Sequence, residues 1–282
     1  MSAIVVHELR KSYDGVEAVR GISFEIGVGE VFGLLGPNGA GKTTTVEILE
    51  GFRRPDAGKV TVLGINPREA RRDWRARIGV VPQSGELHPN LTVREQLELF
   101  AGYYADPRPP EEVLTLVGLE AKAGARTRTL SGGQRRRLDL GVALVGDPEL
   151  LFLDEPTTGF DPRARRAAWE TIRSLRSLGK TILLTTHYIE EAQRLADRVA
   201  VLARGEIVAA GTPAELTAAA PASRIRYRVN GEEVVVETED PVRVLHDLTE
   251  RAMRNGLRID ALEVHRPTLE DIYLSLTEEE AE

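Results

Sequence analysis

The chain has 282 residues, 41% of them apolar, with a net charge of −7 and no cysteine. That length suits one large domain, or a large domain with a small one, and the missing cysteine excludes disulfides and thiolate metal sites. No apolar stretch approaches the roughly 18 residues needed to cross a bilayer, so contact with a membrane would have to come through a partner. Met1–Arg10 lacks the basic-then-apolar pattern of a secretory leader, and a cytosolic protein is expected. The charge is uneven: residues up to 220 hold 29 basic and 29 acidic side chains, residues from 221 onward 8 and 15. An acidic tail is a solvated surface rather than a grip on nucleic acid.

In chain order, Ile4-Val5-Val6 and Ile22–Ile26 read as strands, and Val31–Leu35 is a short apolar strand that stops at a glycine-rich loop. Thr44–Glu50 is helical, and Lys59–Val62 and Ile78–Val81 are further strands. From Leu91 the period becomes helical, with Val93, Leu97 and Phe100 on one helix and Val113, Leu114 and Val117 on another. A helix follows Ser131, then strand Leu150–Leu153, helix Arg163–Leu178, strand Thr181–Thr185, helix Ile189–Ala196, strand Val199–Leu202 and a hairpin arm at Ile207–Ala210. Strands alternating with helices give an α/β fold with a mostly parallel sheet. The helical stretch at about 84–145 is an insertion within a domain spanning 1–218.

Small residues Ala218–Ser223 form a linker. Beyond it Ile225, Tyr227 and Val229 alternate with arginines, Asn230-Gly231 marks a hairpin, and Val234–Val236 resumes the strand. A helix through Val244, Leu245, Leu248 and Ala252, a strand at Ile259–Val264 and a last helix after Pro267 complete a small α+β domain over 221–282.

The chemistry lies in two early elements. Gly36-Pro37-Asn38-Gly39-Ala40-Gly41-Lys42-Thr43-Thr44 joins a strand to a helix and fits the phosphate-binding pattern Gly-x4-Gly-Lys-Thr. Its glycines let successive N–H groups turn toward phosphate oxygens, and the helix dipole favours the same anion. Lys42 adds a charge for the β- and γ-phosphates, and the Thr43 hydroxyl suits Mg²⁺. The run Leu150–Leu153 then delivers Asp154 and Glu155 to the carboxyl end of a buried strand, where ligands of open α/β sheets bind. Asp154 is the candidate Mg²⁺ ligand, and Glu155 the candidate base or water-orienting group.

A third element specifies more. Leu130-Ser131-Gly132-Gly133-Gln134 makes a second anion-binding turn at a helix start. This LSGGQ sequence, shortly before the acidic strand, resembles the signature of the ABC-transporter ATPases, and the resemblance covers Ile4–Leu216. It implies a P-loop NTPase core with an antiparallel β-subdomain and the inserted helical subdomain, and it implies ATP and Mg²⁺ as ligands. It also implies further site residues: Tyr13 stacking on adenine, Gln83 reaching Mg²⁺ and the attacking water, Asp161 in the loop after the acidic pair, and His187 contacting the γ-phosphate. Phe160 stands where the family usually has leucine.

The same resemblance implies a homodimer, because the signature turn of one copy completes the ATP site of another and this chain has one of each. It implies a separately encoded integral-membrane permease, touched by Ser84–Thr92, and hence a peripheral position on the inner face of the cell membrane. His265-Arg266-Pro267-Thr268-Leu269-Glu270-Asp271-Ile272-Tyr273 resembles the ending of exporter ATPases of the daunorubicin-resistance type. Thr268 and Asp271 also read as a helix capping box. A soluble ABC ATPase acting on nucleic acid or ribosomes is the alternative, but such proteins usually carry a coiled-coil insertion or two ATPase domains, and neither is visible here.

Overall fold

The computed structural model describes all residues except 84, 86, 219–222, 230, 266, 267 and 279–282, and omits the side chains of 275–278. Parts of the expected permease contact (Ser84), the linker, the hairpin tip (Asn230) and the tail motif (Arg266, Pro267) therefore lie outside the described residues. The chain forms two compact units, Met1–Ala210 and Gly211–Glu282. The division precedes the linker expected near 218–221. Among the described residues, no helix is long and apolar enough to cross a membrane.

The first unit is built on a six-stranded sheet. Its strands are β3 (Val31–Leu35), β5 (Ile78–Val81), β6 (Leu150–Asp154), β7 (Thr181–Thr186), β8 (Arg198–Ala203) and β9 (Glu206–Gly211), in the order β5-β6-β7-β3-β8-β9. The pairs β5–β6, β6–β7, β7–β3 and β3–β8 are parallel. A strand covered on both faces needs apolar residues throughout, which is why β3, β6 and β7 read as unbroken apolar or threonine runs. Every residue of these three strands is buried.

Period-2 alternation divides these strands between two cores. Leu151 and Leu153 of β6, with Ile182 and Leu184 of β7, join the core that includes Val93, Leu97, Val113 and Leu138. Leu150, Phe152 and Leu183 point the other way, toward Ile4, Leu9, Ile26, Val46 and Leu49.

The second core rests on an antiparallel sheet of β1 (Ser2–Tyr13), β2 (Val16–Gly27) and β4 (Ala57–Val62), ordered β2-β1-β4. β1 and β2 run well beyond the apolar segments visible in the sequence. Register shifts after Val6 and around Leu9 interrupt the alternation that would have shown their length. A short helix α2 (Arg72–Ala76), without a clear sequence signal, buries Trp74, whose Nε1 donates to the Val62 carbonyl at 2.9 Å.

The glycine loop leads into α1 (Lys42–Leu49). The helical insertion consists of α3 (Val93–Ala101), α4 (Pro110–Leu116) and α5 (Gly132–Leu144). α3 and α5 each begin with a reciprocal capping box, Thr92 with Glu95 and Ser131 with Gln134. After β6 come α6 (Pro162–Ser177) and, beyond β7, α7 (Ile189–Leu195).

The second unit holds α8 (Pro213–Ala218), strands β10 (Ser223–Val229), β11 (Glu232–Thr238) and β12 (Ile259–His265), and helices α9 (Pro241–Asn255) and α10 (Leu269–Glu278). Its sheet is antiparallel, ordered β11-β10-β12, with Ile225 opposite both Val236 and Val264. α10 packs on α8 and buries Leu269 and Ile272.

The capping box at the start of α10 is formed. Thr268 donates its hydroxyl and its N–H to Asp271 Oδ2, both at 2.7 Å, and Asp271 N–H donates to the Thr268 hydroxyl at 3.3 Å. The Thr268 hydroxyl, then its N–H, then His265 outweigh partial burial and hold the Asp271 carboxyl at about 2. A depressed carboxylate stabilises the fold above the unfolded pKa and loses that contribution as pH falls through the folded value. Thr268→Ala should therefore weaken α10 by about 1 kcal/mol, read as faster amide exchange along the helix. Asp271→Asn should remove part of the stability loss of the second unit between about pH 4 and pH 2, read by acid titration of the full chain.

Candidate functional site

The glycine loop closes tightly because two of its residues leave no room for a side chain. A Cβ on Gly36 would lie 2.3 Å from the Leu202 carbonyl oxygen. A Cβ on Gly41 would lie 2.4 Å from the Ala18 carbonyl oxygen, and Gly41 has φ +101°. Between them Pro37, Asn38 and Gly39 are exposed, while Ala40 is buried and accepts from Gly205 N–H. α1 starts at Lys42 with no side-chain cap and no acidic residue in its first turn. An uncapped helix start leaves N–H donors for an anion, so the loop fits a phosphate group on its own geometry.

Lys42 is 5% exposed, and its Nζ donates to the carbonyls of Gly36 at 2.8 Å and Pro37 at 3.0 Å. Burial lowers its proton affinity, opposed by the charges of Glu155 and Asp154. Thr43 is exposed and Thr44 half-buried at the mouth of the loop.

The acidic pair sits beside this lysine. Asp154 ends β6 and accepts from the Thr185 hydroxyl on β7. Burial raises its pKa, against that hydrogen bond. Glu155 follows with its backbone in the left-handed region, φ +47°, and its N–H donates to the Thr185 hydroxyl at 3.1 Å and the Thr185 carbonyl at 3.2 Å.

The Glu155 carboxylate gathers groups from four elements. Oε1 lies 3.2 Å from His187 Nδ1 and 3.8 Å from Lys42 Nζ. Oε2 accepts from Gln83 Nε2 at 3.3 Å and from the Thr158 hydroxyl at 3.1 Å. Burial would raise its pKa, but His187, Thr158 and Lys42 together bring it below the usual carboxylate value, so the group is ionised at neutral pH.

Lys42, Gln83, Asp154, Glu155 and His187 thus cluster together. Gly132, at the start of α5, lines one cavity with Gln83, Glu155 and Thr158. Ser131 and Gln134 bond each other across the start of α5, and Gly132 and Gly133 form its first turn. Among the described residues, no hydrogen bond or ion pair joins this turn to the glycine loop. Asp161 caps α6, accepting from Arg163 and Ala164 N–H. Tyr13 ends β1, its ring flanked by Lys11 and Arg53 at 5.4 and 5.2 Å, with its hydroxyl buried and without a hydrogen-bond partner.

Several polar groups at this site gave no signal in the sequence. Thr185 looks like an ordinary strand threonine, and Thr158 like a turn residue. Glu191, on α7, reads as a surface acid of an amphipathic helix. It is fully buried and accepts from the Thr157 hydroxyl at 2.9 Å and Trp169 Nε1 at 3.1 Å.

Known proteins resemble this chain in sequence and fold. The sequence profile of the family described as ABC transporter matches residues 19–158. The Nod factor export ATP-binding protein I of Rhizobium etli is 42% identical, over 100% of this chain and 95% of that protein. Among solved structures, the ATP binding subunit of an ABC transporter matches with a TM-score of 0.68 at 28% identity, covering 76% of this chain and 92% of that one. A dimeric ATP-binding cassette in a post-hydrolysis state, bound to ADP and Pi, matches with a TM-score of 0.67 at 26% identity, covering 74% and 98%. Identity of this order along the whole chain, together with the pocket around Lys42 and Glu155, places the protein in the ABC transporter family as one of its ATP-binding, ATP-hydrolysing subunits.

Proposed function

We propose that this chain powers an exporter, working as a homodimer docked on a separate integral-membrane permease at the inner face of the cell membrane. The observation that carries the dimer is that the chain holds one glycine loop, Gly36–Thr43, and one turn Ser131–Gln134, with no hydrogen bond or ion pair between them among the described residues. One copy has half of each site, and a second copy, turned to face it, supplies the other half. A dimeric relative bound to ADP and Pi supports this reading, and the name of the Rhizobium etli relative supports the direction of transport.

The proposed roles combine the geometry with the resemblance to the ABC-transporter ATPases. The N–H groups of Asn38, Gly39, Gly41, Lys42, Thr43 and Thr44 and the Lys42 ammonium hold the β- and γ-phosphates. Tyr13 stacks on adenine. The Thr43 hydroxyl, the Gln83 amide oxygen and the Asp154 carboxylate form an all-oxygen set that suits Mg²⁺, which takes one or two carboxylates and fills its shell with water and phosphate. Mg²⁺ held by these residues would neutralise charge on the phosphate oxygens. Glu155, held ionised, accepts a hydrogen bond from the attacking water and directs it at the γ-phosphorus. His187 fixes Glu155 and faces the γ-phosphate, and Asp161 shapes the turn that meets the partner copy.

Purification of the tagged chain from detergent-solubilised membranes tests the assembly. A multispanning membrane protein should come with it. Recovery with ribosomes or DNA, and no membrane protein, would overturn the transport reading.

A further inference from the structure

Arg136 lies on α5, two residues beyond the Ser131–Gln134 turn, and its guanidinium leaves the helix to enter the catalytic pocket from behind. Every nitrogen of that group donates to a backbone carbonyl. Nη2 donates to Asp154 at 2.6 Å and Glu155 at 3.3 Å. Nη1 donates to Pro82 and to Gln83, the latter at 3.3 Å. Nε reaches Pro156 at 3.4 Å. One planar cation therefore ties together the two loops that carry Gln83 and the acidic pair. Among the described residues, the side-chain hydrogen bond between those loops is Gln83–Glu155, at 3.3 Å. Burial lowers the proton affinity of Arg136, opposed by four surrounding carboxylates, Asp139, Asp154, Glu191 and Glu155.

Neighbouring arginines do not do this. Arg137 donates to the carbonyls of Val117 and Gly118, inside the helical lobe. The fork of Arg136 matters because a guanidinium presents its donors in a fixed plane, whereas an ammonium presents one nitrogen and an amide two N–H bonds. The helix that carries it begins with the turn that, on the dimer reading, docks on the partner's ATP.

We propose that Arg136 is a positioning residue linking the two halves of the dimer: docking of a copy's signature turn on its partner's ATP sets, through Arg136, the spacing of Gln83 and Glu155 in that copy's own site. The inference rests on the homodimer and on the role of Glu155 given above. Arg136 donates to the backbone carbonyls of Gln83, Asp154 and Glu155 rather than to their side chains. It acts through the backbone of those residues.

The test uses the full chain with Arg136→Gln, Arg136→Lys, Arg137→Lys as a control and Glu155→Gln as a reference. It measures kcat, equilibrium binding of a fluorescent ATP analogue, and thermal unfolding. Arg136→Gln should lower kcat by roughly tenfold to a hundredfold, a loss typical of a reacting group displaced by about an ångström. ATP affinity should stay within about twofold, since the glycine loop is untouched. Arg136→Lys should fall between Gln and wild type, and Arg137→Lys should keep wild-type kcat. In the Glu155→Gln background, Arg136→Gln should leave the ATP-dependent dimer intact. Wild-type kcat in Arg136→Gln, or parallel loss of kcat and ATP affinity in both Arg136 variants, overturns the inference, as does loss of that dimer. If Glu155→Gln itself hydrolyses ATP at the wild-type rate, the reading of the site fails first.

Discussion

Glu155→Gln is expected to bind ATP as the wild type does, to lose hydrolysis by two to three orders of magnitude, and to accumulate as a dimer when ATP is present. Glutamine keeps the size of the side chain and still accepts a hydrogen bond, but it cannot hold the water with a full negative charge. In water-excluded sites a placed charge of this kind contributes on the order of 3–4 kcal/mol to the transition state. Binding survives because the phosphates are held by the glycine loop and Lys42, which Glu155 approaches only at 3.8 Å. Gel filtration with and without ATP, beside a steady-state phosphate assay, measures both effects. Hydrolysis at the wild-type rate would remove Glu155 from the catalytic role.

Gly41→Ala is expected to cost both stability and nucleotide. Two effects add at this position. At φ +101° a side chain is strained by about 1–2 kcal/mol. A Cβ would also stand 2.4 Å from the Ala18 carbonyl oxygen, which is backbone and cannot rotate away, and overpacking of that kind costs about 1–3 kcal/mol. Relief comes from moving the loop, and the loop is the phosphate site. A shift that spends about 3 kcal/mol of binding energy weakens ATP affinity about a hundredfold. Titration with a fluorescent ATP analogue and a denaturant melt separate the two losses. Gly39→Ala is the matching control: φ is +82°, but nothing lies within 4 Å of the added Cβ, so strain remains without the clash.

The sequence exposed the parts of the fold that are locally uniform. β3, β6 and β7 stood out because burial on both faces demands continuous apolar or β-branched residues, and the glycine loop stood out because its geometry admits few other residues. The full length of β1 and β2 was hidden by register shifts, and α2 by its five-residue length, since its one apolar anchor, Trp74, makes no period. The same division runs through the site. Lys42, Asp154 and Glu155 declare themselves by residue type and spacing. Thr185 and Arg136 do not, because each acts by reaching across to a segment distant in sequence. One linear pattern cannot show that a threonine on β7 will hold the acid that ends β6, or that the second of three consecutive arginines turns inward.

The left-handed backbone at Glu155 bears on how this protein can change over generations. A non-glycine residue at φ +47° is held there at a cost in folding free energy, and glycine or asparagine would relieve it. Stability alone therefore favours replacing the carboxylate proposed to direct the attacking water. A lineage released from the need to turn over ATP would be expected to lose this acid early and to fold somewhat better afterwards, so the residue at 155 serves as a marker of whether a relative still burns its nucleotide.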